Sequence, residues 1–107
     1  MALIVYMTAP DNTCAERIAK RLVERHLAAC VNIIPGMRSI YRWEGAVECA
    51  EEVVLIAKTE ESRYELLEKA VRDLHPYECP CIVAMPITHA EPAYAAWIAA
   101  STRMENV

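Results

Sequence analysis

The sequence predicts an α+β fold of order βαββαβ with a further C-terminal helix, and three observations carry it. A continuous apolar run opens the chain, segments of helical spacing alternate with segments of strand spacing, and a long two-strand segment turns at Glu44-Gly45. That order is the split βαβ, or ferredoxin-like, sandwich. At 107 residues the chain, 1–107, reads as one domain.

Leu3 to Thr8 is apolar without interruption and ends at Ala9-Pro10-Asp11, the pattern of a central strand buried on both faces. A helix follows. Thr13 and Glu16 stand three apart, as an N-cap and its partner do in a capping box. Ala15, Ile18, Ala19, Leu22, Val23 and Leu27 then form an apolar stripe at helical spacing. From Cys30 to Ile34 the period becomes strand-like, and Pro35-Gly36 breaks it. Proline has no donor for a ladder, so a bulge or bend is expected there. The strand resumes from Met37 to Trp43, with Met37, Ser39, Tyr41 and Trp43 on one side and Arg38, Ile40 and Arg42 on the other.

Glu44-Gly45 turns the chain, and Val47 to Lys58 returns. Strands about twice the usual five or six residues project beyond a small domain, and their unpaired edge invites another chain. Thr59-Glu60-Glu61 is expected to open the second helix, with acidic residues at its positive end. Its inner stripe is Leu67, Ala70, Val71 and Leu74. Ile82 to Met85 is the fourth strand, and Pro86 implies an edge position or a bulge. Pro92 suits the first position of a last helix, whose stripe is Tyr94, Trp97, Ile98 and Ser101.

Hydrophobic residues make up 55 % of the chain. That excess over the usual ~45–50 % points to apolar surface reserved for a partner subunit. The net charge is −4 and the charges are interspersed, which argues against a nucleic-acid partner or an anionic membrane surface. No apolar run approaches the ~20 residues of a membrane span. The start, Met1 to Met7, lacks the basic region of a signal peptide. With five cysteines, an odd number, free thiols in a reducing compartment are expected, and cytoplasm is the default.

The densest chemistry lies in His75-Pro76-Tyr77-Glu78-Cys79-Pro80-Cys81. Two prolines stiffen the segment, so it presents side chains in a set geometry. His75, Cys79 and Cys81 form a candidate metal set, since thiolate and imidazole suit copper(I) and zinc. The plain alternative is structural thiols beside a histidine that caps a helix. Lys58 ends an apolar strand, either snorkelling to solvent or acting as a fixed cation for an anionic ligand or for Glu78; the second reading is preferred. Tyr41 and Trp43, on one face of the hairpin, either stack on a ligand or form the core of an interface, and the interface is favoured. His26, His89 and Asp11 read as structural residues. Tyr94 and Trp97 read as core or interface packing.

Several functions are disfavoured. A phosphate-cradling loop of the acylphosphatase kind needs glycines, and the only two are Gly36 and Gly45. An RNA-recognition sheet needs stacking aromatics in basic surroundings, whereas this chain is acidic and has no Phe. A copper-chaperone domain carries C-x-x-C in the first strand–helix loop, where Thr8 to Cys14 holds one thiol. No nucleophile, base and orienting group stand out together, so enzyme is the weaker class.

The chain resembles the CutA family of divalent-cation-tolerance proteins. The matching segments are Thr8-Ala9-Pro10-Asp11, Leu27-Ala28-Ala29-Cys30-Val31-Asn32, Ile34-Pro35-Gly36, Ser39 to Gly45, Lys58-Thr59, His75-Pro76-Tyr77-Glu78 with Pro80, and Tyr94-Ala95-Ala96-Trp97. They run in order through nearly the whole chain. The resemblance implies a homotrimer in which the long hairpin reaches its neighbours, in a cytoplasmic protein of copper and divalent-cation tolerance. It also implies a likeness to the PII signalling proteins, trimers that bind small effectors between subunits. On this footing Tyr41, Trp43, Lys58, His75, Tyr77 and Glu78 line a ligand cleft between subunits, for a small anionic effector or a metal ion. Copper-binding relatives use a thiol at the end of the first strand and paired histidines before the Pro-Tyr. This chain has Met7 and Leu74 in those places, leaving His75 with Cys79 and Cys81 as substitutes.

Overall fold

The structure, a computed structural model, describes residues 1–103. Its elements are β1 (Ala2–Ala9), α1 (Asn12–Glu24), β2 (Cys30–Trp43), β3 (Ala46–Glu60), α2 (Tyr64–Leu74), β4 (Ile82–Pro86) and α3 (Pro92–Ser101). The four strands form one antiparallel sheet of order β2-β3-β1-β4. This is the ferredoxin-like arrangement with the C-terminal helix added.

Period-two alternation divides the sheet into two faces. Leu3, Val5, Met7 and Ala9 of β1 and Val53, Leu55 and Ala57 of β3 point to one side. There they meet Ala15, Ile18 and Leu22 of α1 and Leu67, Ala70 and Val71 of α2 in a single buried core. Ile4, Tyr6 and Thr8, with Glu52, Val54, Ile56 and Lys58, point to the opposite face, which α1 and α2 leave open. Pro86 ends β4, the outer strand, where a missing donor leaves no ladder partner unsatisfied.

The hairpin is as long as its sequence implied, with strands of 14 and 15 residues. Trp43 pairs with Ala46, so Glu44-Gly45 is a two-residue loop, and both residues have positive φ (50° and 83°). Positive φ at both central positions is the type I′ geometry that follows the strand twist. At the base of the hairpin Ile34 pairs with Val54 and Met37 with Glu52, so Pro35 and Gly36 together face Val53. Gly36, at φ 80°, supplies the backbone this bulge needs. The extra residue changes the phase of β2. Met37, Ser39, Tyr41 and Trp43 therefore continue the face of Asn32 and Ile34; without it Arg38, Ile40 and Arg42 would do so.

Three local expectations are corrected. Asp11, not Thr13, caps α1: its backbone is extended and its carboxylate accepts from the Cys14 amide at 2.8 Å. A helix beginning two residues earlier makes Thr13 a helical residue rather than a cap. Thr59 and Glu60 continue β3, because β1 pairs with them at Leu3 and Ala2. The buried Thr59 hydroxyl donates to the Leu27 carbonyl at 2.6 Å, and a short 3-10 turn, Glu61–Arg63, precedes α2. In α3 only Ile98 of the expected stripe is fully buried, while Tyr94 and Trp97 stand exposed. Pro92 does open that helix, capped by the Glu91 carboxylate through the Tyr94 amide.

Replacing Asp11 by Ala is expected to cost about 0.5–2 kcal/mol, read as a lower urea midpoint at fixed protein concentration. Thr13→Ala, which removes no cap, should move the midpoint less.

Candidate functional site

The 75–81 segment leaves α2 and runs back along the open face towards the hairpin. Between them lies a cleft of about 790 Å³, lined by Tyr6, Thr8, Ser39, Tyr41, Trp43, Glu52, Tyr77, Glu78, Cys79 and Cys81, with Arg38, Ile40 and Pro76 completing it. Tyr41, Trp43, Tyr77 and Glu78 thus meet within one protomer.

His75 sets the loop in place. It is 8 % exposed, and both ring nitrogens are engaged. Nε2 donates to the Thr8 carbonyl at 2.7 Å, and Nδ1 accepts from the Tyr77 amide at 3.2 Å. A carbonyl can only accept and an amide N–H can only donate, so the ring is the neutral Nε2–H tautomer. Its plane tilts against the Tyr77 ring, centroids 4.8 Å apart. His75 therefore ties the loop to the end of β1.

The floor of the cleft is Glu52, which the sequence reading did not single out. Glu52 as a whole is 7 % exposed. Oε1 accepts from the Ser39 hydroxyl at 2.6 Å and Oε2 from the Tyr77 hydroxyl at 3.1 Å. The available signal was a carboxylate at the head of the apolar run Val53-Val54-Leu55-Ile56-Ala57, in phase with Val54 and Ile56. The bulge in β2 brings Ser39 onto the same face.

Burial, then the negative charge of Glu52, pushes the Tyr77 phenol up to about 12. The Tyr77 ring is partly exposed, but its hydroxyl points to the buried carboxylate. Burial and the same carboxylate also push the Cys81 thiol up. Cys14 is raised by burial and by Asp11. Both shifts disfavour the thiolate, the form that ligates a metal.

Two expected partnerships do not form in the protomer. Lys58 donates to the Asn32 side chain and lies six residues along β3 from Glu52, roughly 20 Å away. Within the protomer it neither lines the cleft nor meets Glu78. His75, Cys79 and Cys81 do not assemble either, since both imidazole nitrogens are spent on the fold. Among the described residues no three His, Cys, Asp or Glu side chains are placed to hold a metal ion. The residues present do not fit the copper site proposed from the sequence. His26 is structural as expected, donating from Nδ1 to the Ser101 carbonyl at 3.1 Å. Among the described residues no helix is long and apolar enough to cross a membrane.

The fold is a ferredoxin-like α+β domain with one sheet face left open by α1 and α2 and an aromatic cleft beside a long hairpin. The chain belongs to the CutA1 divalent ion tolerance protein family, whose pattern it matches over residues 3–101. It is 45 % identical over 102 residues to the divalent-cation tolerance protein CutA of Thermus thermophilus, covering 95 % of this chain and 99 % of that one. The structure of the Thermus thermophilus protein superposes with a TM-score of 0.94 at 45 % identity, over 96 % of this chain and 100 % of the other. A structure described as the periplasmic divalent cation tolerance protein CutA from Archaeoglobus fulgidus gives 0.93 at 42 % identity, over 96 % and 100 %. The CutA homolog of Xenopus laevis is 46 % identical over 87 % of this chain, which spans only 62 % of that longer protein.

The raised pKa of Tyr77 makes a pH prediction. The fold favours the protonated phenol, so its contribution is intact below the ordinary value of 10.0 and is lost as pH climbs towards about 12. Wild type should be more stable than Tyr77→Phe at neutral pH. The gap, measured by thermal unfolding of both proteins across the alkaline range, should close above pH 10.

Proposed function

We propose that this protein serves divalent-cation tolerance as a homotrimer that binds a small effector, with no catalytic step of its own. The observation that carries the reading is the open sheet face. Ile34 of β2 and Val83 and Met85 of β4 are about half exposed there, in register with Val54, Tyr6 and Ile4. A contiguous apolar face of this kind on one side of a sheet calls for a partner. The hairpin adds a second reason, because it projects Ile40 and Val47 into solvent and leaves the outer edge of β2 unpaired. A neighbouring copy packed on this face closes the open side of the cleft.

Binding rather than catalysis is supported by the state of the cleft's groups. His75, behind the cleft, has no free nitrogen to act as a base, and burial with the Glu52 charge disfavours the Cys81 thiolate. The free thiols of Cys14, Cys30, Cys49, Cys79 and Cys81 fit a reducing compartment, and we place the protein in the cytoplasm. A PII-like mode of action is favoured over direct metal capture by the size of the cleft, which is far larger than a single ion needs. In that mode the metal response runs through an effector, and copper has no dedicated site at the His75 loop.

Light scattering should return three times the protomer mass; a stable monomer would remove both the trimer and the shared cleft. In calorimetric titrations with copper(I), copper(II) and zinc, Cys79→Ser/Cys81→Ser and His75→Ala are expected to bind as wild type does. A loss of about tenfold or more in either variant, with the fold intact by circular dichroism, would restore the imidazole–thiol site.

A further inference from the structure

We propose that the cleft beside the hairpin takes an organic cation, a primary ammonium or guanidinium group, with Glu52 as its counter-charge and Tyr41 and Tyr77 as its walls. The inference rests on the effector-binding reading and names the chemistry of the ligand. Glu52 is 7 % exposed, yet no cation lies within ion-pair distance of it among the described residues. Its two recorded partners are neutral hydroxyls. An ionised carboxylate offers about four acceptor positions, so two remain for a ligand. A buried charge is costly unless paired, and Glu52 lines the cleft.

The walls suit the same ligand. Tyr41 and Tyr77 are both part-exposed and both face this cavity. Aromatic faces attract ammonium and guanidinium groups through the ring quadrupole, most strongly where water is displaced. Glu78 adds a second carboxylate to the lining. Arg38 is the one cationic side chain that lines it. It pairs in the ladder with Glu51, on the face opposite Glu52. A divalent metal ion is a worse occupant, since among the described residues no three His, Cys, Asp or Glu side chains are placed to supply the ligand set such ions require. Phosphate or a carboxylate would face Glu52 directly and be repelled.

The test uses the assembled protein with n-butylammonium and n-butylguanidinium as probes, and butyrate and butanol as anionic and neutral controls. Calorimetry should show saturable binding of the two cations, one per protomer, and none of the controls. Amide resonances of residues 39–43, 52 and 77 should move on titration. Glu52→Gln keeps the shape and an acceptor oxygen but removes the charge, and should weaken cation binding about tenfold or more. Tyr41→Leu, at the cleft wall, should weaken it several-fold while leaving butyrate unbound. Equal cation binding by Glu52→Gln overturns the proposal, as does cation binding that leaves the cleft amides unmoved. Butyrate binding in the cleft without the cations also overturns it, but keeps the effector cleft. Failure of every probe to move the cleft amides overturns the ligand class and counts against the cleft itself. If Glu52→Gln does not fold, the wild-type resonance map and Tyr41→Leu decide.

Discussion

The two-against-one bulge at Pro35-Gly36 is the constraint on which the rest of the site depends. A strand's side chains alternate, so one inserted residue exchanges the faces of everything beyond it. Before the bulge the open face carries Asn32 and Ile34; beyond it, that face carries Met37, Ser39, Tyr41 and Trp43. Had the ladder continued in phase, two arginines and an isoleucine would stand where Ser39, Tyr41 and Trp43 now share the face of Glu52. The hydrogen bond from Ser39 to Glu52, the aromatic walls and the apolar continuity of the open face all follow from that insertion. Gly36 makes it affordable, since its φ of 80° is a conformation that side chains resist.

The opposite wall has its own fixing point. His75 spans from the Thr8 carbonyl to the Tyr77 amide, so the rigid Pro-Tyr-Glu segment cannot swing away from β1. Tyr77 then reaches Glu52 from one side as Ser39 does from the other. The cleft is held shut at its floor by a carboxylate and two hydroxyls, and held together at its back by a neutral imidazole. The histidine that looks most like a metal ligand in the sequence is therefore spent on architecture.

The two faces of the sheet have different fates. The inner face is dry, because α1 and α2 place Ile18, Leu22, Leu67 and Val71 against β1 and β3. The outer face keeps apolar residues half in water, alongside Tyr94 and Trp97 of α3, whose rings lie 5.5 Å apart. That asymmetry is the physical basis for reading the protomer as one part of an assembly, and it accounts for a composition richer in apolar residues than one small core consumes.

Local rules were enough for the elements and their order. The 3.6-residue stripes, the alternation along the hairpin, the turn at Glu44-Gly45 and the break at Pro35-Gly36 are all short-range features, as are the family motifs. The edges of elements were less legible: β1 pairing draws Thr59 and Glu60 into a strand, and Asp11 takes the cap from Thr13. The site was legible in part. Tyr41, Trp43, Tyr77 and Glu78 are named by motif and do meet, whereas Glu52 was overlooked and Lys58 lies elsewhere. The reason is range. Glu52 and Tyr77 are 25 positions apart, and His75 and Thr8 are 67 apart, so no periodicity or spacing relates them. What the sequence determined was which face each residue takes within its own element. Only the packing of strand, bulge and loop decided which carboxylate is buried, which imidazole is used up, and which lysine is left outside.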